Sequence, residues 1–159
     1  GDTVLDLPPA HFDCIICGDV LEHLVDPWAM LQKFAGHLRP GGQVIASLPN
    51  IRHIDTLFNL VIRGKWPYRE RGIHDRTHLR FFTRANIEDL FNSAGLEIRE
   101  IRRNLRLVER PHDINRYAWL AGFWPLRDFF TFQYLVRAGC PEMRPAHTTG
   151  DGHAVPPAG

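Results

Sequence analysis

Within "FDCIICGDVLEHL", residues 12–24, an acid, a second acid and an imidazole (Asp19, Glu22 and His23) fall inside five positions. Carboxylates and an imidazole at this spacing can move protons, and two carboxylates with an imidazole can also hold a hard divalent cation. The stretch "HDRTHLR" forms a second polar knot from His74, Asp75, His78 and Arg80. His74 and His78 would share a helix face at i, i+4, but the neighbouring glycine and arginines predict a loop. That knot suits either a hydrogen-bonded tether or a catalytic role for His78. Cys14 and Cys17 stand three apart in the same opening stretch. Residues three apart on a strand point to opposite faces, so the two sulfurs share no metal or disulfide, and both read as small buried apolar groups.

These residues depend on a strand–helix–strand unit for their placement. Phe12 to Cys17 is nearly continuously apolar, with β-branched Ile15 and Ile16, as in a parallel strand buried on both faces. Asp26 suits a helix N-cap and Pro27 the first helical position. Trp28, Leu31, Phe34 and Leu38 make an apolar stripe, and Pro40-Gly41-Gly42 ends it. "QVIASLP" follows as a second buried strand, so the sheet is expected to be parallel and open. In such a sheet ligands bind beyond the carboxyl ends of the strands, where Asp19, Glu22 and His23 lie.

Further along, Ile54, Leu57, Phe58, Val61 and Ile62 predict a helix that Gly64 ends. Residues 64–82 read as a polar loop laced with aromatics. Thr83 caps a helix that turns Ile87, Leu90 and Phe91 inward and stops at Gly95. "LEIREIR" alternates and then slips by one at Glu100, which predicts a strand with one wetter face. Residues 105–129 hold helical and aromatic pieces, "FQYLVRA" is a last strand, and 141–159 lack periodicity and are expected to be disordered.

The bulk numbers exclude several classes. Nineteen basic and eighteen acidic residues leave a net charge of +1, so no global field argues for nucleic acid or an anionic membrane. Three cysteines form no disulfide framework, which fits a reducing cytoplasm. No apolar run approaches the roughly 20 residues of a spanning helix. Arg99, Arg102, Arg103, Arg106 and Arg110 form a basic stretch that is either a solvated strand face or an attractor for an acidic substrate. Trp66, Trp119 and Trp124 pack in a core or stack on a ring of the substrate.

The ordered set "DLP", "FDCIICGDVLEHLVDPWAML", "LRPGGQVIASLPN", "HLRFFT" and "IEDLFNSAGLEI" resembles the later half of a class I S-adenosylmethionine-dependent methyltransferase, from Asp2 to about Arg103 with a closing strand at 133–137. The likeness extends to ubiquinone-pathway enzymes. It is closer to bacterial methyltransferase domains found beside glycosyltransferases, which share "PNIRH", "GKWPY" and "HDRTHLRFFT". It implies an α/β, Rossmann-like fold: a doubly wound, mostly parallel sheet with helices on both faces and without the family's N-terminal strands. The partial domain would span 1–140, with an acceptor-side loop at 64–82 and an aromatic insertion at 105–129.

The same resemblance implies site residues. Asp2 would bond the adenine amino group, Thr3 would read the ring edge with its backbone, and Gly18 and Asp19 would line the cofactor. His23, Glu22 and His78 would be catalytic, with His23 taking the acceptor's proton. Some relatives hold a divalent cation at the "EH" position, but no metal ligand is assigned here. The implied activity is methyl transfer from S-adenosylmethionine, mainly O-methylation, to a small-molecule or glycan acceptor in the bacterial cytoplasm. Neither nucleic acid nor membrane is an expected partner, and a homodimer through an exposed sheet edge is. The family's glycine-rich cofactor loop and ribose-binding acid do not occur in these residues, since "PGGQ" precedes a strand instead of opening a helix. A catalytically inactive binding or dimerisation module is therefore the alternative. A nicotinamide dehydrogenase is disfavoured without a dinucleotide fingerprint.

Overall fold

Asp26 starts the first helix as its type requires: the carboxylate accepts from the Ala29 N–H at 2.9 Å, and Pro27 takes the first position. The computed structural model describes residues 7–108, 112–122 and 126–141. In it, strand β1 (Phe12–Gly18) leads through a 3-10 turn (Leu21–His23) to α1 (Pro27–His37) and directly into β2 (Leu38–Pro49). β1 and β2 pair in parallel, from Cys14 opposite Gln43 to Gly18 opposite Ser47. β2 begins earlier than "QVIASLP" because Leu38 already pairs with Phe12, and residues 39–42 then bow out. Glycine is needed there, since a Cβ on Gly42 would lie 2.8 Å from the Arg39 carbonyl oxygen.

The next helix, α2 (Ile54–Leu57), runs into a π-helical turn at Phe58–Ile62. A long loop then leads to α3 (Arg84–Ser93) and β3 (Glu97–Leu105). Thr83 and Asn86 close a capping box on α3, each side chain accepting from the other's backbone N–H. The predicted slip at Glu100 is a register shift between Ile98 and Glu100. A 3-10 segment (Asp113–Gly122) and α4 (Arg127–Phe130) precede β4 (Thr131–Gly139). β4 inserts antiparallel between β2 and β3, giving the order β1-β2-β4-β3. Three strands thus share one direction, and the Rossmann-like class is borne out, with one parallel and two antiparallel pairs.

The apolar core lies between two of the helices and one face of the sheet. The β1-to-β2 and β2-to-β3 crossovers step the same way across the sheet, so their common right-handedness puts α1 and α3 on one face. Leu31 of α1 and Ile87, Leu90 and Phe91 of α3 pack there against Cys17, Val44, Ala46, Leu48, Tyr134, Val136 and Ala138. The other face leaves Ile16 74% and Leu135 43% exposed. β1, an edge strand of this sheet, is therefore not buried on both faces. Cys14 is exposed while Cys17 is buried, which corrects the reading of both as core groups.

Two further expectations need correction. Trp28 is half-exposed, with the Arg80 guanidinium 5.7 Å over its ring, and does not point into the core. The segment 54–62 is helical but inverted: Thr56 and Asn59 are buried, whereas Ile54, Phe58, Val61 and Ile62 are exposed. Residues 142–159, Asp2, Thr3, Arg110 and Trp124 lie outside the described residues, as do the calls for a disordered tail and parts of the aromatic insertion. No helix of the described residues is long and apolar enough to cross a membrane.

Asn50, fully buried where β2 ends, ties three segments together. Its amide donates to the carbonyls of Asp128 (2.7 Å) and Thr131 (2.8 Å), its side-chain oxygen accepts from Arg52 N–H, and its backbone bridges to Phe82. Replacing Asn50 by alanine leaves two carbonyls short of a donor, so urea unfolding should show a loss of about 2–3 kcal/mol. Asn50→Asp, which cannot donate, should lose at least as much.

Candidate active site

β1 ends in a sharp turn. Asp19 takes a left-handed conformation (φ 51°), which aspartate tolerates better than most residues. The turn is held from below: Asp19 N–H donates to Ser47 Oγ, Ser47 Oγ donates back to Asp19 Oδ1, both at 2.9 Å, and Gln133 donates to the same oxygen. Gln133 reaches Asp19 because β4 inserts beside β2. That neighbour lies 114 residues away in sequence and was not foreseen.

The following 3-10 turn buries Leu21 and Glu22. The Glu22 carbonyl accepts from Leu79 N–H at 2.8 Å and Arg80 N–H at 3.0 Å, and Arg80's side chain donates to the Val25 carbonyl. These bonds dock the loop 64–82 on the strand end. They also enclose the Glu22 side chain, which is 1% exposed with no hydrogen bond to either carboxylate oxygen. His78 Nε2 stands 3.9 Å from Glu22 Oε1. Burial, reinforced by the Asp19 charge, pushes Glu22 up to about 7. Burial lowers His78 below the ordinary imidazole range. Near neutral pH a large share of Glu22 is therefore protonated beside a neutral imidazole.

His78 Nδ1 lies 3.2 Å from the Ile73 carbonyl, which can only accept, so Nε2 keeps its lone pair toward Glu22. The His23 and His78 rings meet edge to face at 4.6 Å. A cavity of about 1040 Å³ opens over them, lined by Asp19, Glu22, His23, Asp75 and His78, with Arg69, Arg71, Arg106, Phe132 and Gln133 among its other walls. Glu22, His23 and His78 each bring a donor atom within 4.8 Å of the others. Two donors on one small cation stand at most about 4.4 Å apart. The set would close slightly to hold one, which would also satisfy the orphaned Glu22 oxygens.

Residues 2–101 match a family described as a methyltransferase domain. The chain belongs to this family. It is 32% identical over 95 residues to the ubiquinone biosynthesis O-methyltransferase of Aeromonas salmonicida, covering 58% of this chain and 39% of that protein. Against the enzyme of the same name from Xylella fastidiosa it is 31% identical over 127 residues, covering 74% of this chain and 50% of that protein. The chain thus spans half or less of the length of these curated relatives. The fold matches a solved S-adenosylmethionine-dependent methyltransferase from Thermotoga maritima with a TM-score of 0.57 at 15% identity, covering 86% of this chain and 59% of that one.

The domain brings Asp19, Glu22, His23 and His78 into one cavity, while Gly18 is exposed beside it and is not part of its lining. His74 lies behind the wall, fully buried against Trp66, and burial together with the Arg69 charge lowers it to about 4. The basic stretch does not act as one patch. Arg102 pairs with Glu100 and Arg103 with Asp128, and Arg106 alone of the described members lines the cavity. None of the described residues among 117–130 lines it, and Trp119 is exposed. Arg69, Glu70, Arg71 and Thr77 entered the reading only as loop polarity. Nothing in their spacing marks their contacts.

Glu22 supplies a stability test. Its folded value lies above its ordinary 4.5, so the folded state holds the extra proton and stability is full below about pH 4.5 and lost as pH rises through about 7. Glu22→Gln should therefore be more stable than the parent at about pH 8, by on the order of 2–3 kcal/mol, with the gap closing in acid. Urea unfolding across that range measures it, and a pH-independent gap would refute the burial cost.

Proposed function

We propose that the protein transfers a methyl group from S-adenosylmethionine to a hydroxyl oxygen of a polar small molecule or glycan. The observation that carries the reading is the Glu22–His23–His78 cluster, set at the carboxyl end of a parallel strand and open to the cavity. When bound, the cofactor supplies an electrophilic methyl carbon on a sulfonium. Asp19 and Gly18 at the strand end would flank it, with Asp2 and Thr3 on its adenine side. The names of the curated relatives support oxygen as the acceptor atom, and the arginines and acids among the cavity's walls support a hydroxylated acceptor over a wholly apolar one.

In the proposed step the acceptor hydroxyl is aligned in line with the methyl–sulfur bond. The carbon–oxygen bond forms as the carbon–sulfur bond breaks, the sulfur keeps the electron pair, and the hydroxyl proton passes to His23. When protonated, Glu22 beside His78 keeps a second negative charge away from the sulfonium's neighbourhood. The loop from Lys65 to Arg80 selects the acceptor through Arg69 and Arg71. We place the reaction in the bacterial cytoplasm, which the bacterial relatives and the three free cysteines support. Self-association through the free edge of β1 belongs to the same reading.

Calorimetric titration with S-adenosylhomocysteine should show saturable binding that Asp19→Ala weakens. In a methyl-transfer assay against hydroxylated acceptors, His23→Ala should lower kcat by roughly a hundredfold or more. Turnover indifferent to His23 would remove it as the base, and a folded chain that binds no cofactor product would point to a non-catalytic module.

A further inference from the structure

Which ring nitrogen of His23 carries the proton is decided by the loop. Nδ1 lies 3.1 Å from Thr77 Oγ1 and 3.3 Å from the Thr77 carbonyl oxygen. A carbonyl only accepts, so Nδ1 donates to it. The hydroxyl is already committed as a donor: Thr77 Oγ1 gives its hydrogen to Asp75 Oδ1 at 2.6 Å. The same Asp75 oxygen accepts the Thr77 backbone N–H at 2.8 Å, closing an Asx turn that presents both Thr77 oxygens to the ring. The two bonds from Thr77 also hold the Asp75 carboxyl below the usual carboxylate range, so it stays an acceptor.

We propose that Asp75 and Thr77 are positioning residues that lock His23 in its Nδ1–H tautomer, leaving the Nε2 lone pair for the acceptor's proton. The use of that lone pair rests on the methyl-transfer reading, whereas the lock rests on the hydrogen bonds alone. A plain loop tether would not need this polarity. With Asp75 in place the Thr77 hydroxyl can only receive from His23. Without Asp75 it is free to donate to Nδ1 and to stabilise the opposite tautomer. The His78 ring, edge-on at 4.6 Å, restrains the imidazole plane so that the choice of tautomer also sets direction.

Long-range proton–nitrogen NMR of the full chain, with labelled histidine and at alkaline pH, reads the tautomer directly. His23→Gln assigns the signal. The parent should show a protonated Nδ1 and a bare Nε2 at His23. Asp75→Ala should bring in a measurable Nε2–H population, Asp75→Asn, which keeps the accepting oxygen, should restore the parent pattern, and Thr77→Ser should match the parent. Should Asp75→Ala disturb the loop, Thr77→Val removes only the hydroxyl and should shift the ring the same way by less. An Nε2–H ring in the parent, or a tautomer unmoved in both Asp75→Ala and Thr77→Val, would overturn the lock. In turnover Asp75→Ala should lower kcat by at least roughly tenfold with KM unchanged. A locked tautomer with His23-independent turnover would sink the base and spare the lock, and the reverse pattern would sink the lock alone.

Discussion

One carbonyl oxygen organises this site. The Glu22 carbonyl receives the N–H groups of both Leu79 and Arg80, and so joins the end of β1 to a loop more than fifty residues further along. A doubly bonded carbonyl fixes direction as well as distance. With Leu79 and Arg80 held, the preceding residues Thr77 and His78 must lie over the 3-10 turn. That brings one imidazole against the Glu22 carboxylate and the Thr77 oxygens against the other imidazole. The closure also explains why Glu22 is buried: the bonds to its backbone carry its side chain under the loop.

That arrangement trades stability for chemistry. A buried carboxyl without a hydrogen-bond donor is costly to ionise, and a left-handed aspartate at a strand end is mildly strained. Both features sit within four residues of one another, at Asp19 and Glu22. The one-sided core supplies the compensation. Leu31, Ile87, Leu90 and Phe91 are fully buried against the central strands, and Ser47 and Gln133 project from those strands to hold Asp19. The rigid part of the sheet thus bears on the strained turn through three hydrogen bonds.

Local chemistry made much of this legible. The Asp26 cap, Pro27, the Thr83 capping box, the stop at Gly95 and the slip at Glu100 all act within a few residues, and each appears where its type demands. The grouping of Asp19, Glu22 and His23 was legible for the same reason, since one turn carries all three. What could not be read were relations set by topology. An alternating pattern does not say that β4 will insert antiparallel, so Gln133 beside Asp19 had no signal. Nor does an apolar run say which neighbours its strand will have, hence the exposed Cys14 and Ile16. The contact of His23 with Thr77 depends on both, and it required the loop's docking to be known.

The inverted helix at 54–62 follows from the same topology. A helix that packs on an apolar sheet must turn apolar residues inward, but this one backs onto the polar loop and the far end of β3. His53 donates through Nε2 to the Arg106 carbonyl at 2.9 Å while its Nδ1 accepts from Asp55 N–H, so burial keeps it neutral and fully used. Asn59 donates to the Asp55 carbonyl at 2.7 Å, and Asp55 in turn holds Arg69 at 3.0 Å. Arg69 and Arg106 are both walls of the cavity. His53 and Asn59 therefore act as a second layer behind the site, each bonded to a group that positions a wall residue. Periodicity located the apolar stripe correctly but assigned it the wrong side, because the partner that chose the buried face was a polar one.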